Sequence, residues 1–208
     1  MLVLPVSDED PDPATTPLDR YVAELPEGLD SYPNFRIKAA FTRSLIQQLP
    51  TRPEGLPDVI GRLVEYPPLI SSWIPEVHHQ ALLLGIAERV FHGAAGTLLD
   101  SMFQMQRTLL GGKIYAPLLQ LLNPALLLRQ ASKRWTNFHR GTTLKVVRAD
   151  AEEARVQVSH PEGLYSALGR EALRGGFRAA IEASRSREHE VVIVHAGAER
   201  TEFELRWS

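Results

Sequence analysis

Apolar positions step through the first two thirds of the chain at three- and four-residue intervals, and beyond Gly141 they alternate. Ile37, Phe41 and Leu45 recur every fourth position between Pro33 and Pro50, which predicts a helix over 33–49. Three prolines and a glycine make a loop of 50–57, a short helix follows over 58–64, and Tyr66-Pro67-Pro68 forces extended backbone. Trp73-Ile-Pro75-Glu76 reads as a helix entry, with Glu76 well placed against the helix dipole. The helix predicted from Pro75 to about Phe91 is strongly apolar, with Val77, Ala81, Leu84, Ala87 and Phe91 on one broad face with Leu83 and Val90, and is expected to be central. A further helix is predicted over 97–110, closed by Gly111-Gly112, and Asn123-Pro124 caps another that runs to about Phe138.

After Gly141 the period changes to two. TTLKVVRAD and EARVQVSH are β-branched runs around an acidic turn, and EVVIVHA and TEFELRW form a second hairpin. Between the hairpins, residues 164–184 carry two apolar stripes at helical spacing. One is small (Leu164, Leu168, Ala172, Gly175, Ala179, Ala183) and the other bulky (Leu173, Phe177, Ile181), so this helix needs two partners. The expected fold is α+β: a helical region, 33–140, packed against a four-stranded antiparallel sheet of β-β-α-β-β order, 141–208.

Charge adds a boundary. Residues 1–33 hold six prolines and eight acids against Arg20, net −7, which leaves +5 for the rest of a chain whose formal total is −2. Residues 1–32 are therefore expected to be a flexible acidic arm, and 33–208 a single domain. The chain has no cysteine, so thiolate catalysis, thiolate metal sites and disulfides are excluded, and a cytoplasmic setting is the default. The N-terminal apolar run is too short for a secretion signal, and the greasy stretch 114–128 is too interrupted for a membrane span.

No cluster amounts to a catalytic signature. Glu76 and His79 have the i, i+3 spacing of helix-borne metal ligands, but His92 lies about 140° from His79 around a straight helix, so the two cannot share an ion, and no metal is expected. Gly111-Gly112-Lys113 and the 169–176 glycines lack the phosphate-loop pattern. Arg170, Arg174 and Arg178 form a basic row, yet Arg178 and Glu182 are spaced for an intrahelical ion pair, and a solvated face or a dock for the acidic arm accounts for the row better than nucleic acid. Trp73, Phe91, Met102, Phe103, Tyr115, Trp135 and Phe138 fall on or beside the helices. They are the candidates for lining an apolar ligand pocket between helices and sheet.

The Trp73-Ile-Pro-Glu76 helix entry, the Leu126-Leu-Leu-Arg129 to Arg134-Trp135 helix leading to Gly141, the Gly169-Arg-Glu-Ala172 to Gly176-Phe177 crossover and the closing Phe203-Glu-Leu-Arg-Trp207 together cover about 135 residues. In that order they resemble a bacterial family related to the 4-vinyl-reductase-type and heme-NO-binding domains, in particular its myxobacterial domain-of-unknown-function branch. The resemblance implies helices on a small antiparallel sheet, and relatives that act as small-molecule sensors or assembly modules. Haem-binding relatives use a Tyr-x-Ser-x-Arg pattern that Tyr165-Ser-Ala-Leu-Gly-Arg170 does not match, so His92 is not carried over as a haem ligand and no cofactor is expected. The expected function is a non-enzymatic cytoplasmic sensor or binding module for a small apolar ligand or a protein partner. The alternative is a homodimeric scaffold, and neither nucleic acid nor membrane is expected as a partner.

Overall fold

The computed structural model describes residues 15–47, 49–110, 123–184, 186 and 188–208. Thr16 is the N-cap of α1 (Pro17–Glu24). Its hydroxyl accepts the Asp19 N–H at 3.1 Å while the Asp19 carboxylate takes the Thr16 N–H, a reciprocal box with proline at the first helical position. Leu18, Tyr21 and Leu25 of this segment are buried in the main core. The Tyr21 hydroxyl donates to the Leu164 carbonyl at 2.9 Å, and that of Tyr32 to the Glu162 carbonyl at 2.7 Å. The expected acidic arm is thus corrected over residues 15–32, because the i, i+3, i+7 apolar spacing there outweighs the acid-rich composition; residues 1–14 lie outside the described residues.

A second correction concerns the helix expected over 33–49. Arg36–Lys38 is instead a strand, β1, and α2 is confined to Ala39–Gln47. After α3 (Asp58–Glu65) comes β2 (Trp73–Pro75), then α4 (Glu76–Arg89), α5 (Ala95–Leu110), α6 (Pro124–Arg134), a 3-10 turn (Trp135–Asn137) and β3 (His139–Arg140). The three short strands pair antiparallel in the order β2-β1-β3. The remainder is β4 (Thr143–Ala149), β5 (Glu153–Ser159), α7 (Ala167–Glu182), β6 (His189–Ala196) and β7 (Arg200–Trp207), forming the antiparallel sheet β4-β5-β7-β6. The β5–β7 ladder runs without a shift, whereas β4 is bulged between Val146 and Arg148 and β6 between Ile193 and His195. The fold class is α+β. No described helix is long and apolar enough to cross a membrane.

α4 is the centre of the molecule: almost every residue from Glu76 to Ala87 is buried, as its all-round apolar pattern requires. α7 has two partners. Its bulky stripe faces the sheet, with the Phe177 and Phe203 rings 5.0 Å apart, and its small stripe faces α5, where Ala172 and Gly175 line a narrow cleft with Leu99, Met102, Phe103 and Gln106. The intrahelical Arg178–Glu182 pair is not formed. Arg178 lies over the Phe103 ring at 4.4 Å, and Glu182 pairs with Arg107 of α5 at 2.8 Å. Ala179 is fully buried, so Ala179→Leu should overfill its contact and destabilise the protein by about 1–3 kcal/mol, read as a lowered denaturant midpoint at unchanged slope.

Candidate functional site

The three-stranded sheet gathers most of the chemistry among the described residues. Alternation splits it into two faces: Ile37, Ile74 and His139 point inward and are buried, while Arg36, Lys38, Trp73 and Arg140 lie on the outer face. Gly141, at φ 84°, allows the chain to leave β3 directly against Phe35; a Cβ there would sit 2.7 Å from the Phe35 ring.

Behind the sheet, His139 Nδ1 donates to Glu76 Oε2 at 3.2 Å. Gln80, one turn along α4, donates from Nε2 to Glu76 Oε1 at 3.3 Å and accepts at Oε1 from the Ser166 hydroxyl at 3.2 Å. Ser166 is the N-cap of α7, where it also accepts the Gly169 N–H at 3.0 Å. A continuous relay, buried at His139, Glu76 and Gln80 and half-buried at Ser166, therefore runs from β3 through α4 to the start of α7. Close packing protects it, since a Cβ on Gly169 would overlap Gln80 Oε1, 1.8 Å away. His79 shares a 2.9 Å hydrogen bond with Thr42 of α2.

Burial dominates the electrostatics here. It would raise the Glu76 carboxyl, but the hydrogen bond and charge of His139, the neighbouring His79 and the Gln80 amide outweigh it and hold the group below its ordinary range. Burial pulls the His79 imidazole down to about 4 despite the attraction of Glu76, so it is neutral at pH 7. Burial, then the Glu76 charge, push the Tyr165 phenol well above its usual value, against a smaller lowering from the Thr142 hydroxyl.

The pocket candidates fall into two groups. Trp73, Trp135 and Phe138 surround the small sheet: Trp135 stacks on His139 at 4.1 Å and donates from Nε1 to Thr142, and Phe138 meets Phe41 edge-on at 5.8 Å. Phe91 packs at the margin of the main core, and Met102 and Phe103 line the α5–α7 cleft, which holds only about 50 Å³. Tyr115 lies outside the described residues. Between helices and sheet, Leu164, Tyr165, Leu128 and Phe203 fill the interior. The larger open cavity, about 280 Å³, lies elsewhere, between α2 and α3 and the loop after each. Two of its lining residues, Glu65 and Pro67, flank Tyr66 in the chain, and Leu69 and Ile70 follow in the same loop; these three are 71%, 72% and 62% exposed. Glu76 and His79 were visible in sequence as a spaced pair, but not their partners: His139 lies 63 residues away from Glu76, and a two-residue strand leaves no periodic signal. Among the described residues no group of three or more His, Cys, Asp or Glu is placed to hold a metal ion.

No family model and no curated protein matches the sequence. Among solved structures, the chain is similar to the Fe(II) unliganded H-NOX protein from K. algicida, with a TM-score of 0.51 at 11% identity over 83% of this chain and 97% of that one. A point mutant of the same protein gives 0.52 at the same identity and coverage. A structure from work on heme distortion in the H-NOX family gives 0.54 at 9% identity over 82% and 95% of the two chains. At such identities the likeness establishes a fold, and the fold is H-NOX-like.

Proposed function

We propose that this chain is a non-enzymatic cytoplasmic binding module with a sensor-type fold, and that it recognises a protein partner through the loop at 66–70 and the groove beside it. The observation that carries this reading is the exposure of Tyr66, Leu69 and Ile70 next to an open cavity of about 280 Å³ lined by Ile46, Leu49, Pro50, Val64 and Pro67. Large apolar side chains exposed within one short loop beside a groove are a feature of interaction sites. The loop is held in place rather than left loose, because Arg43 donates to the carbonyls of Pro67 and Pro68 at 3.3 and 3.2 Å. A small apolar ligand in the groove would leave the three protruding side chains in water, so a protein surface accounts for more of the patch.

The side chains present do not fit a haem. A cofactor pocket needs roughly 300–1,000 Å³ of enclosed, mostly apolar space, and among the described residues the region between helices and sheet is occupied by the packed side chains of the main core. Three of the buried histidines are engaged: His79 with Thr42, His139 with Glu76 beneath the Trp135 ring, and His160 through Nδ1 to the Pro161 carbonyl and Nε2 to the Thr201 hydroxyl. His92 is exposed in the turn between α4 and α5.

A second copy of the chain is the alternative occupant, favoured by one feature. Arg52 and Glu65 both line the groove and are exposed, opposite charges that a two-fold axis can pair between copies. A photo-crosslinking benzophenone side chain placed at position 69 in cells separates the readings. A discrete adduct of any mass but twice the 23.2 kDa chain supports a different partner, and one of twice that mass supports the homodimer. The absence of any protein adduct overturns both.

A further inference from the structure

The outer face of the three-stranded sheet concentrates positive charge that no carboxylate among the described residues pairs with. Arg36 and Lys38 share that face of β1; the register sets Arg36 directly opposite Arg140 on β3, and Lys38 opposite Trp73 on β2. Lys38 Nζ and Arg140 Cζ lie 4.4 and 4.0 Å from the centre of the Trp73 ring. None of the three cations pairs with a described carboxylate. The larger sheet is built differently: Arg148, Arg155, Arg200 and Arg206 each have a glutamate within 4 Å. Like charges set opposite one another in an antiparallel pair repel, so the arginine pair gives the small sheet no stability of its own. The nearest acid behind this sheet, Glu76, is buried and committed to His139 and Gln80.

We propose that this face binds a phosphate-bearing small molecule, a nucleoside di- or triphosphate, with the phosphates on Arg36, Lys38 and Arg140. A guanidinium stacked on an aromatic ring keeps its in-plane N–H donors free, and those donors match phosphate oxygens in a fork. Trp73 is thus a positioning residue, in contact with two of the three cations. Size argues for a single nucleotide: three strands span about 10 Å and two residue rows about 7 Å, too small a platform for a duplex or a bilayer patch. Phe138, 45% exposed at the end of β3, offers a ring for the base.

Isothermal titration of the intact chain with sodium pyrophosphate and with ATP, at physiological salt, tests the site. Both probes should bind once per chain. Arg140→Gln and Lys38→Gln should each weaken them about tenfold, and Trp73→Leu should weaken them with all three cations still present. If Arg140→Gln fails to fold, Arg36→Gln serves in its place. The proposal is overturned if neither probe gives a saturable signal, or if the charge variants bind as tightly as the parent chain. Capture by phosphatidylserine vesicles through the same cations, undiminished by pyrophosphate, would overturn it as well.

Discussion

Replacing Glu76 with alanine is expected to lower the unfolding free energy by about 3–5 kcal/mol, the range typical of breaking a buried charged pair from one side. The carboxylate is buried and takes hydrogen bonds from His139 and Gln80, and neither donor has another described acceptor to turn to. Their desolvation is then uncompensated, and the relay into the Ser166 cap loses its middle. For a chain of this length the loss corresponds to roughly 6–20 °C in melting temperature. Glu76→Gln keeps the volume and one acceptor oxygen, so it should lose clearly less. Equal melting of Glu76→Ala and the parent chain would show that the pair contributes nothing.

Acidification should destabilise the protein well before carboxylates in general titrate. His79 has a folded value near 4 against an ordinary 6.5, so between those values the unfolded chain binds a proton that the folded chain refuses. Stability then rises with pH across that interval and falls on going down through it, by roughly 3 kcal/mol in total. His160, also pulled down by burial, acts in the same direction. Glu76 has the depressed carboxylate pattern: its contribution is intact above its ordinary value of 4.5 and is lost as pH falls through its lower folded value. Denaturant midpoints measured from pH 7 down to pH 4 should show the first loss starting near 6.5, and His79→Gln should flatten it. A parent chain as stable at pH 4.5 as at pH 7 would contradict the burial of a neutral imidazole.

The larger sheet and its crossover helix could be read from the sequence because their periods are long enough to repeat. β7 alternates Phe203, Leu205 and Trp207 inward over a full strand, and α7 shows both of its stripes over more than four turns. The small sheet could not be read this way. Its strands are two or three residues long, and Ile37, its inward residue on β1, falls in phase with Phe41 and Leu45 of α2, so strand and helix merge into one apparent helical run. α1 was hidden differently: acids and prolines that suggest an extended arm are, at Thr16, Pro17 and Asp19, the parts of a helix start. Bulk and helical position mark the pocket candidates in the sequence, and neither property says whether such side chains converge. Trp135 and Phe138 gather on the small sheet because the 3-10 turn after α6 delivers them there, whereas Phe103 is drawn to Arg178 across the α5–α7 contact.

The bulges in β4 and β6 decide how the larger sheet can meet other chains. Both of its open borders are irregular, and only the interior ladder keeps an unbroken register. An incoming strand needs an evenly spaced row of free N–H and C=O groups, and neither border offers one along its length. The sheet is thereby protected from growing by strand addition into fibrils or runaway oligomers. Assembly is left to side-chain surfaces, which can specify a partner and can let it go.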